Sequence, residues 1–289
     1  MATDSASPGI LLATDLEARC DRATDRAIRL ARAFGGGAVA ASMVEPAQLR
    51  AQEVPMYQAP PWYRERSPLQ HARQRLEREF AAETVPWEVR VGEGGAGEAI
   101  AAMLDAGGGG QLVVTGPVRP GLIGPAVLGS TVDRLLRRAG TSLLVVRERV
   151  HDDYRRVLFT TDFSAPCRTA LERARAWFPQ ARISVLHGFQ VPMLGLLDSS
   201  QAEAVAAAAA QAREEGRAFL REAGLDEGVP LLVEHGDPVR LAQQYLETHG
   251  TDLVVLGTHG RGAVYELVVG SVARRMLTTL EADTLVVRA

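Results

Sequence analysis

Apolar runs of strand length alternate with amphipathic, helix-length stretches along the whole chain. In the first half this pattern predicts strands over residues 10–14, 38–43, 87–91, 112–115 and 143–146, with helices over 20–34, 69–82, 98–106 and 131–139. The second half repeats the order, with strands over 156–161, 183–187, 231–234, 253–257 and 284–288 and helices over 166–178, 201–223, 238–248 and 271–280. The strands are rich in Val and Leu and barely alternate, as strands covered on both faces do. Strands separated by helices of this length build right-handed βαβ units. The expected fold is α/β, each half a doubly wound, open, parallel five-stranded sheet.

The halves also agree residue by residue. ILLATD, ending at Asp15, matches VLFTTD, ending at Asp162, an offset of 147 (162 − 15) that Cys20 and Cys167 share. QLVVTG, ending at Gly116, matches DLVVLG, ending at Gly257, at an offset of 141 (257 − 116) that Ser130 and Ser271 keep. A self-similarity of this kind marks a tandem repeat. The domains are expected over 1–150 and 151–289, joined at the charged segment ERVHDDYR. One insertion breaks the match. Residues 46–68 carry five prolines, Pro46, Pro55, Pro60, Pro61 and Pro68, which oppose regular structure. The segment reads as a solvated loop, with Tyr57, Trp62 and Tyr63 leaving a docking or lid role open.

The chemistry concentrates in LGTHGRGAVYELVVGSVARRM, which starts at the end of a buried strand and runs into a helix near Ser271. Gly257, Gly260, Gly270 and Ser271 are the punctuation. N–H groups at a helix start lack intrahelical partners, and the helix dipole favours an anion there. Gly270 admits the approach of a phosphate, Ser271 can cap or donate, and Gly257 and Gly260 suit a turn closed to other residues. Ligands of open α/β sheets sit at such strand ends. The first strand of each half ends in an acid, Asp15 and Asp162, which beside such a loop becomes a candidate for contacting a nucleotide's base or ribose.

These residues resemble the universal stress protein family. VLFTTDFSAPCRTALERA and GTHGRG…VVGSVARRML fit its pattern, and the spacing G-x-x-G-(nine)-G-[S/T] fits its ATP-binding signature. The resemblance covers nearly the whole chain as two copies. It implies an adenine nucleotide alpha hydrolase-like fold with strand order 3-2-1-4-5, adenine nucleotide binding in some members, and pairing through the last strand. It implies adenine and ribose contacts from Thr161 and Asp162. Gly188 stands where the family usually has Val, at a backbone contact to adenine. Thr258, His259 and Arg261 fall in the phosphate-side loop with Gly260, and Ser271 and Val272 close the signature. The ligand implied is ATP, or AMP or ADP, with Mg accompanying the phosphates. The first half departs: Arg119 replaces the second glycine between Pro117 and Pro120. Arg119 either closes the site, leaving a structural domain, or replaces backbone donors and still holds phosphate.

Other signals are weaker. Gly92 to Gly97 fits GxGxxG, yet follows the third strand and lacks the acid about 20 residues on that ribose binding requires. His187, His235 and His259 match no zinc spacing. Cys20 and Cys167 stand at helix starts, where a thiol pKa can fall, though packing of a small residue is the simpler reading. No Walker loop or nucleophile elbow is present. Formal net charge is −3, which argues against bulk-charge nucleic-acid binding. Two cysteines fit a reducing cytoplasm, and neither a signal peptide nor a membrane span is expected. The reading is a cytoplasmic, stress-response-type ATP binder with one nucleotide in the C-terminal half, acting as a ligand sensor or signalling scaffold for an unidentified protein partner. Turnover is at most weak ATP hydrolysis. A slow ATPase or nucleotidyl-transferring enzyme, and a nucleotide-free interaction scaffold, are the alternatives. The apolar last strands, residues 142–147 and 283–288, leave edges that pair either within one chain, as a pseudo-dimer, or between two chains as a homodimer.

Overall fold

The computed structural model describes residues 8–45, 67–106, 111–117, 129–137, 141–192, 201–225, 228–257 and 270–288. The first half contains β1 (Gly9–Ala13), α1 (Asp21–Phe34), β2 (Ala38–Val44), α2 (Pro68–Phe80), β3 (Trp87–Glu93), α3 (Ala96–Ala106), β4 (Gln111–Thr115), α4 (Ser130–Leu136) and β5 (Ser142–Val145). The second contains β6 (Arg156–Thr160), α5 (Ala165–Trp177), β7 (Arg182–Phe189), α6 (Gln201–Glu222), β8 (Leu231–His235), α7 (Pro238–His249), β9 (Leu253–Gly257), α8 (Ser271–Thr279) and β10 (Thr284–Val287). Every predicted element forms, most with ends within two residues of expectation. Local chemistry sets several of those ends. Ser67 and Gln70 form a capping box with Pro68 in the first turn of α2. Gly35 and Gly250, at φ 65° and 54°, end α1 and α7 in the left-handed region. The proline-rich insertion from 46 to 66 lies outside the described residues.

Within each half the strands are parallel in the order 3-2-1-4-5. The two sheets are not separate, however. The full order is β3-β2-β1-β4-β5-β10-β9-β6-β7-β8, one ten-stranded sheet. Its central pair, β5 and β10, is antiparallel, with Thr284 opposite Val145 and Val286 opposite Leu143. The edges left by the last strands are satisfied within the chain, and β3 and β8 form the outer edges. Helices α1, α2, α5 and α6 cover one face, where Leu30, Leu76, Leu171 and Phe219 are buried. Helices α3, α4, α7 and α8 cover the other, with Leu104, Leu135, Ala242 and Met276.

The junction has an approximate twofold relation that specific side chains break. The Arg147 guanidinium donates to the Leu277 carbonyl of α8 at 2.6 Å, and Arg288, its counterpart, donates to the Leu136 carbonyl of α4. Each half therefore caps the other's last helix. Arg147 N–H donates to Asp283 at 2.7 Å, and Arg288 N–H donates to Ser142, the counterpart of Asp283, at 3.2 Å. Asp133 and Arg274 occupy equivalent positions on α4 and α8 and pair at 2.5 Å. Two copies of one half would bring like charges together there. The halves are complementary to each other because duplication let equivalent positions diverge.

Candidate functional site

The sheet offers a topological switch point in each half. In the second half β6 lies between β9 and β7, and the connections leaving its neighbourhood pass to opposite faces. A crevice opens at the carboxyl ends of such strands. Thr161, Asp162 and Phe163 follow β6 there, Gly188 lies near the end of β7, Gly257 ends β9, and Gly270, Ser271 and Val272 start α8. The remaining predicted residues, Thr258, His259, Gly260 and Arg261, lie outside the described residues.

The turn after β6 is held by its own polar side chains. Thr161 Oγ1 accepts from the Phe163 N–H at 2.9 Å, and Asp162 Oδ1 accepts from the Ser164 N–H at 3.1 Å. These bonds hold Phe163 at φ 63°, a left-handed conformation that bulky residues avoid. Leu16, its counterpart, has φ 61°, and among the described residues these two alone combine a side chain larger than glycine's with positive φ. The Phe163 ring stacks on His187 at 4.4 Å and fits the notch left by Gly216 on α6. His187 Nδ1–H donates to the Thr161 carbonyl at 2.8 Å, which fixes its tautomer because a carbonyl only accepts. The acid is thus presented on a braced, strained turn. Sequence reasoning missed Phe163 and weighed His187 only against zinc spacings; the positive φ at the residue after the acid has no composition signal.

The two cysteines belong to this layer. Cys167 Sγ–H donates to Asp162 at 3.2 Å, and Cys20 Sγ–H donates to Asp15 at 3.1 Å. Burial pushes both thiols up, the reverse of the fall that a helix start can produce, so both remain protonated donors. Native protein should leave Ellman's reagent unreacted at mildly alkaline pH, and both thiols should react in concentrated urea. Rapid labelling of the native state would contradict the buried, neutral assignment.

Gly257 needs a different explanation from the one its motif suggests. Its φ is not positive. A Cβ there would lie 3.0 Å from Cys167 Sγ and 3.3 Å from its Cα. Gly116 meets Cys20 in the same way, at 3.1 and 3.3 Å. The first glycine of the signature therefore seats the first turn of the following-strand helix against the sheet. Two glycines of the false fingerprint are packing residues too: Gly92, on the edge strand β3, faces Met43, and Gly97 faces Thr131 and Arg134, whereas Gly94 has φ 109°.

Gly270 behaves differently. It is the N-cap of α8 with no side-chain cap, at φ −56°, ψ 151°, and a Cβ would meet nothing within 4 Å among the described residues. The neighbouring helix makes the contrast: Asp237 caps α7 by accepting from Val239 and Arg240 N–H, both at 3.1 Å. Asp237 also accepts from Arg275 of α8 at 2.7 and 3.0 Å, tying the two helices together. The Arg275 hydrogen bond holds the Asp237 carboxyl below the ordinary carboxylate value. Beside the uncapped start, Ser271 is exposed and Val272 is 38% exposed, an apolar side chain in an otherwise polar rim.

The first half keeps a glycine, Gly129, at the N-cap of α4, and a cation stands beside its acid. Arg19 forms an ion pair with Asp15. The position equivalent to Arg19 in the second half is Pro166, which has no charge. Among the described residues no group of three or more His, Cys, Asp or Glu could hold a metal, and no helix is long and apolar enough to cross a membrane.

Comparison with known proteins accords with this arrangement. The family model described as "Universal stress protein family" matches residues 9–147 and again 153–288. A universal stress protein of Mycolicibacterium smegmatis is 30% identical over 195 residues, 64% of this chain and 64% of that protein, so the match spans less than two thirds of its length. A functionally unknown protein of Pseudomonas aeruginosa PAO1 superposes with a TM-score of 0.69 at 20% identity, covering 98% of this chain and 93% of that one. A universal stress protein of Archaeoglobus fulgidus DSM 4304 superposes with a TM-score of 0.60 at 17% identity, covering 98% and 97%. These superpositions concern the fold.

Proposed function

The chain belongs to the universal stress protein family through both halves, and from that premise we propose that its C-terminal half binds one adenine nucleotide at the β6–β9 switch point. The observation that carries the reading is the start of α8. Its first N–H groups have no side-chain cap, and neither packing nor φ among the described residues demands glycine at Gly270. An uncapped helix start suits a phosphate. Asp162, oriented by Ser164 N–H and the Cys167 thiol, and Thr161 supply the polar wall for ribose and base. Gly188 lines the base side through its backbone, and exposed Val272 offers apolar cover. Thr258, His259, Gly260 and Arg261, outside the described residues, are the phosphate-side residues that the family signature implies. A magnesium ion would be held chiefly by the nucleotide's own phosphates. The first half is a scaffold, because Arg19 already neutralises Asp15. The protein is a nucleotide sensor or signalling scaffold of the cytoplasm, a placement that rests on its two unbridged cysteines.

The test separates binding from folding. Calorimetric titration with ATP should give one site per chain. Gly270→Asp should abolish it, because a carboxylate there takes the N–H groups and repels phosphate. The same change should leave stability unchanged or raise it by about a few tenths of a kcal/mol, since Asp is only slightly better than Gly as an N-cap. Absence of wild-type binding at millimolar ATP, or undiminished binding by Gly270→Asp, would sink the proposal.

A further inference from the structure

Among the described residues the ten-stranded sheet ends on two edges, β3 and β8, that are not alike. At β3, Phe80 of α2 stacks on Trp87 at 4.3 Å and fills the space between helix and edge. At β8, a groove of about 620 Å³ lies between α6 and the strand, floored by Leu220, Leu225, Val229 and Leu231. The two helices differ in charge pattern. On α2 the buried residues are Ala72, Leu76 and Phe80, and its arginines are Arg73, Arg75 and Arg78. On α6 the buried residues include Ala212, Gly216, Phe219 and Leu220, and its arginines are Arg213, Arg217 and Arg221. Of the two, α6 alone carries three arginines spaced four apart, one above another on one helix face.

That rail keeps its charge. Glu214 is shared by Arg217 at 3.6 Å and Arg221 at 3.9 Å, beyond hydrogen-bond length, and Arg213 has no carboxylate partner among the described residues. Neighbouring acids are engaged elsewhere, Glu222 with Arg168 and Glu215 with Gln211. The strand beneath is ready to pair. Val185 N–H donates to Pro230 O and Gly236 N–H to Phe189 O, both at 2.8 Å. By parallel-sheet alternation Leu232 and Glu234 face β7, while the peptide groups of Leu231, Val233 and His235 face outward.

We infer that the groove between α6 and the outer edge of β8 docks an extended acidic segment of a protein partner as an eleventh strand beneath the arginine rail. Main-chain bonds to β8 would supply the pairing, and the arginines the sign of charge. A second copy of this chain fits poorly: twofold pairing of two β8 edges would bring two arginine rails together.

Fluorescence polarisation with a labelled decapeptide of alternating valine and glutamate tests this. The peptide should bind, and Arg213→Glu with Arg217→Glu should weaken it about tenfold or more, in line with loss of paired interfacial charge. Raised salt should weaken it too, and methylation of alternate peptide nitrogens should abolish it. Both arginines are exposed, so circular dichroism should show the variant folded; the salt and methylation arms hold on the wild type regardless. Equal binding of a valine–lysine peptide, indifference to the variant or to methylation, or no binding at millimolar protein would overturn the inference. So would light scattering that shows a wild-type dimer abolished by the variant.

Discussion

Replacement of Asp283 by alanine should cost about 3–5 kcal/mol, the range for removing one partner from a buried charge pair, and should be read as a shift in the urea midpoint followed by tryptophan fluorescence. Asp283 is 0% exposed at the junction of the halves. One oxygen accepts from the Arg147 and Glu148 N–H groups at 2.7 and 2.8 Å. The other accepts from the Tyr154 hydroxyl at 2.6 Å and lies 3.7 Å from Arg26 Nε. Arg26 is itself 4% exposed and lies over the Tyr154 ring at 4.0 Å. Alanine would strand a buried guanidinium, a hydroxyl and two peptide donors together. Asn, which keeps the shape and one acceptor, should cost less. A variant within experimental error of wild type would show that the junction does not depend on this carboxylate.

The same cluster gives a pH dependence. Burial, then the Asp283 charge, pushes Tyr154 well above its ordinary value of 10.0. The folded state thus retains a proton that the unfolded state releases, so stability is full below that value and falls as pH rises past it toward the folded pKa. Tyr154→Phe should remove this part of the alkaline slope.

The second large effect is expected from Gly188→Val, the residue the family usually carries there. A Cβ at 188 would lie 2.9 Å from Pro238 Cα and 3.1 Å from Pro238 Cβ and Leu241 Cδ1. Backbone cannot give way as a side-chain tip can. Pro238 opens α7, whose start is fixed by the Asp237 cap and by the Asp237–Arg275 pair. Overpacking of this kind costs about 3 kcal/mol, which for a chain of this size is a fall in Tm of roughly 6–12 °C. Gly188→Ala meets the same Cβ contact and should show a smaller loss. An unshifted Tm for the valine variant would mean that α7 can slide outward, contrary to the capping geometry.

Gly188 and Gly257 show where one-dimensional reasoning reached its limit. Both were visible, but as a departure from a motif and as a turn residue. Their reason is steric: Pro238 lies 50 residues from Gly188 (238 − 188), and Cys167 lies 90 residues from Gly257 (257 − 167). Gly270 is the converse case, with neither positive φ nor a close neighbour among the described residues to account for it. Residue type alone could not separate these glycines, since spacing records that small residues occur and not what approaches them.

Periodicity and repeat offsets by themselves determined the two halves, the order of strands and helices, and which strand ends carry an acid and a glycine-rich loop. Those are local properties, fixed by backbone hydrogen bonding and by which side chains can be buried. Tertiary structure decided that β5 and β10 join the halves into one sheet, that Arg19 pairs with Asp15 where the second half has Pro166, and that Tyr154 and Asp283 meet in the core. Tyr154 stands in a charged linker and Asp283 beside an apolar strand, and neither context announces the other. Their pairing arises only when distant segments exclude water together, because burial is what turns a solvated carboxylate and phenol into a hydrogen-bonded pair.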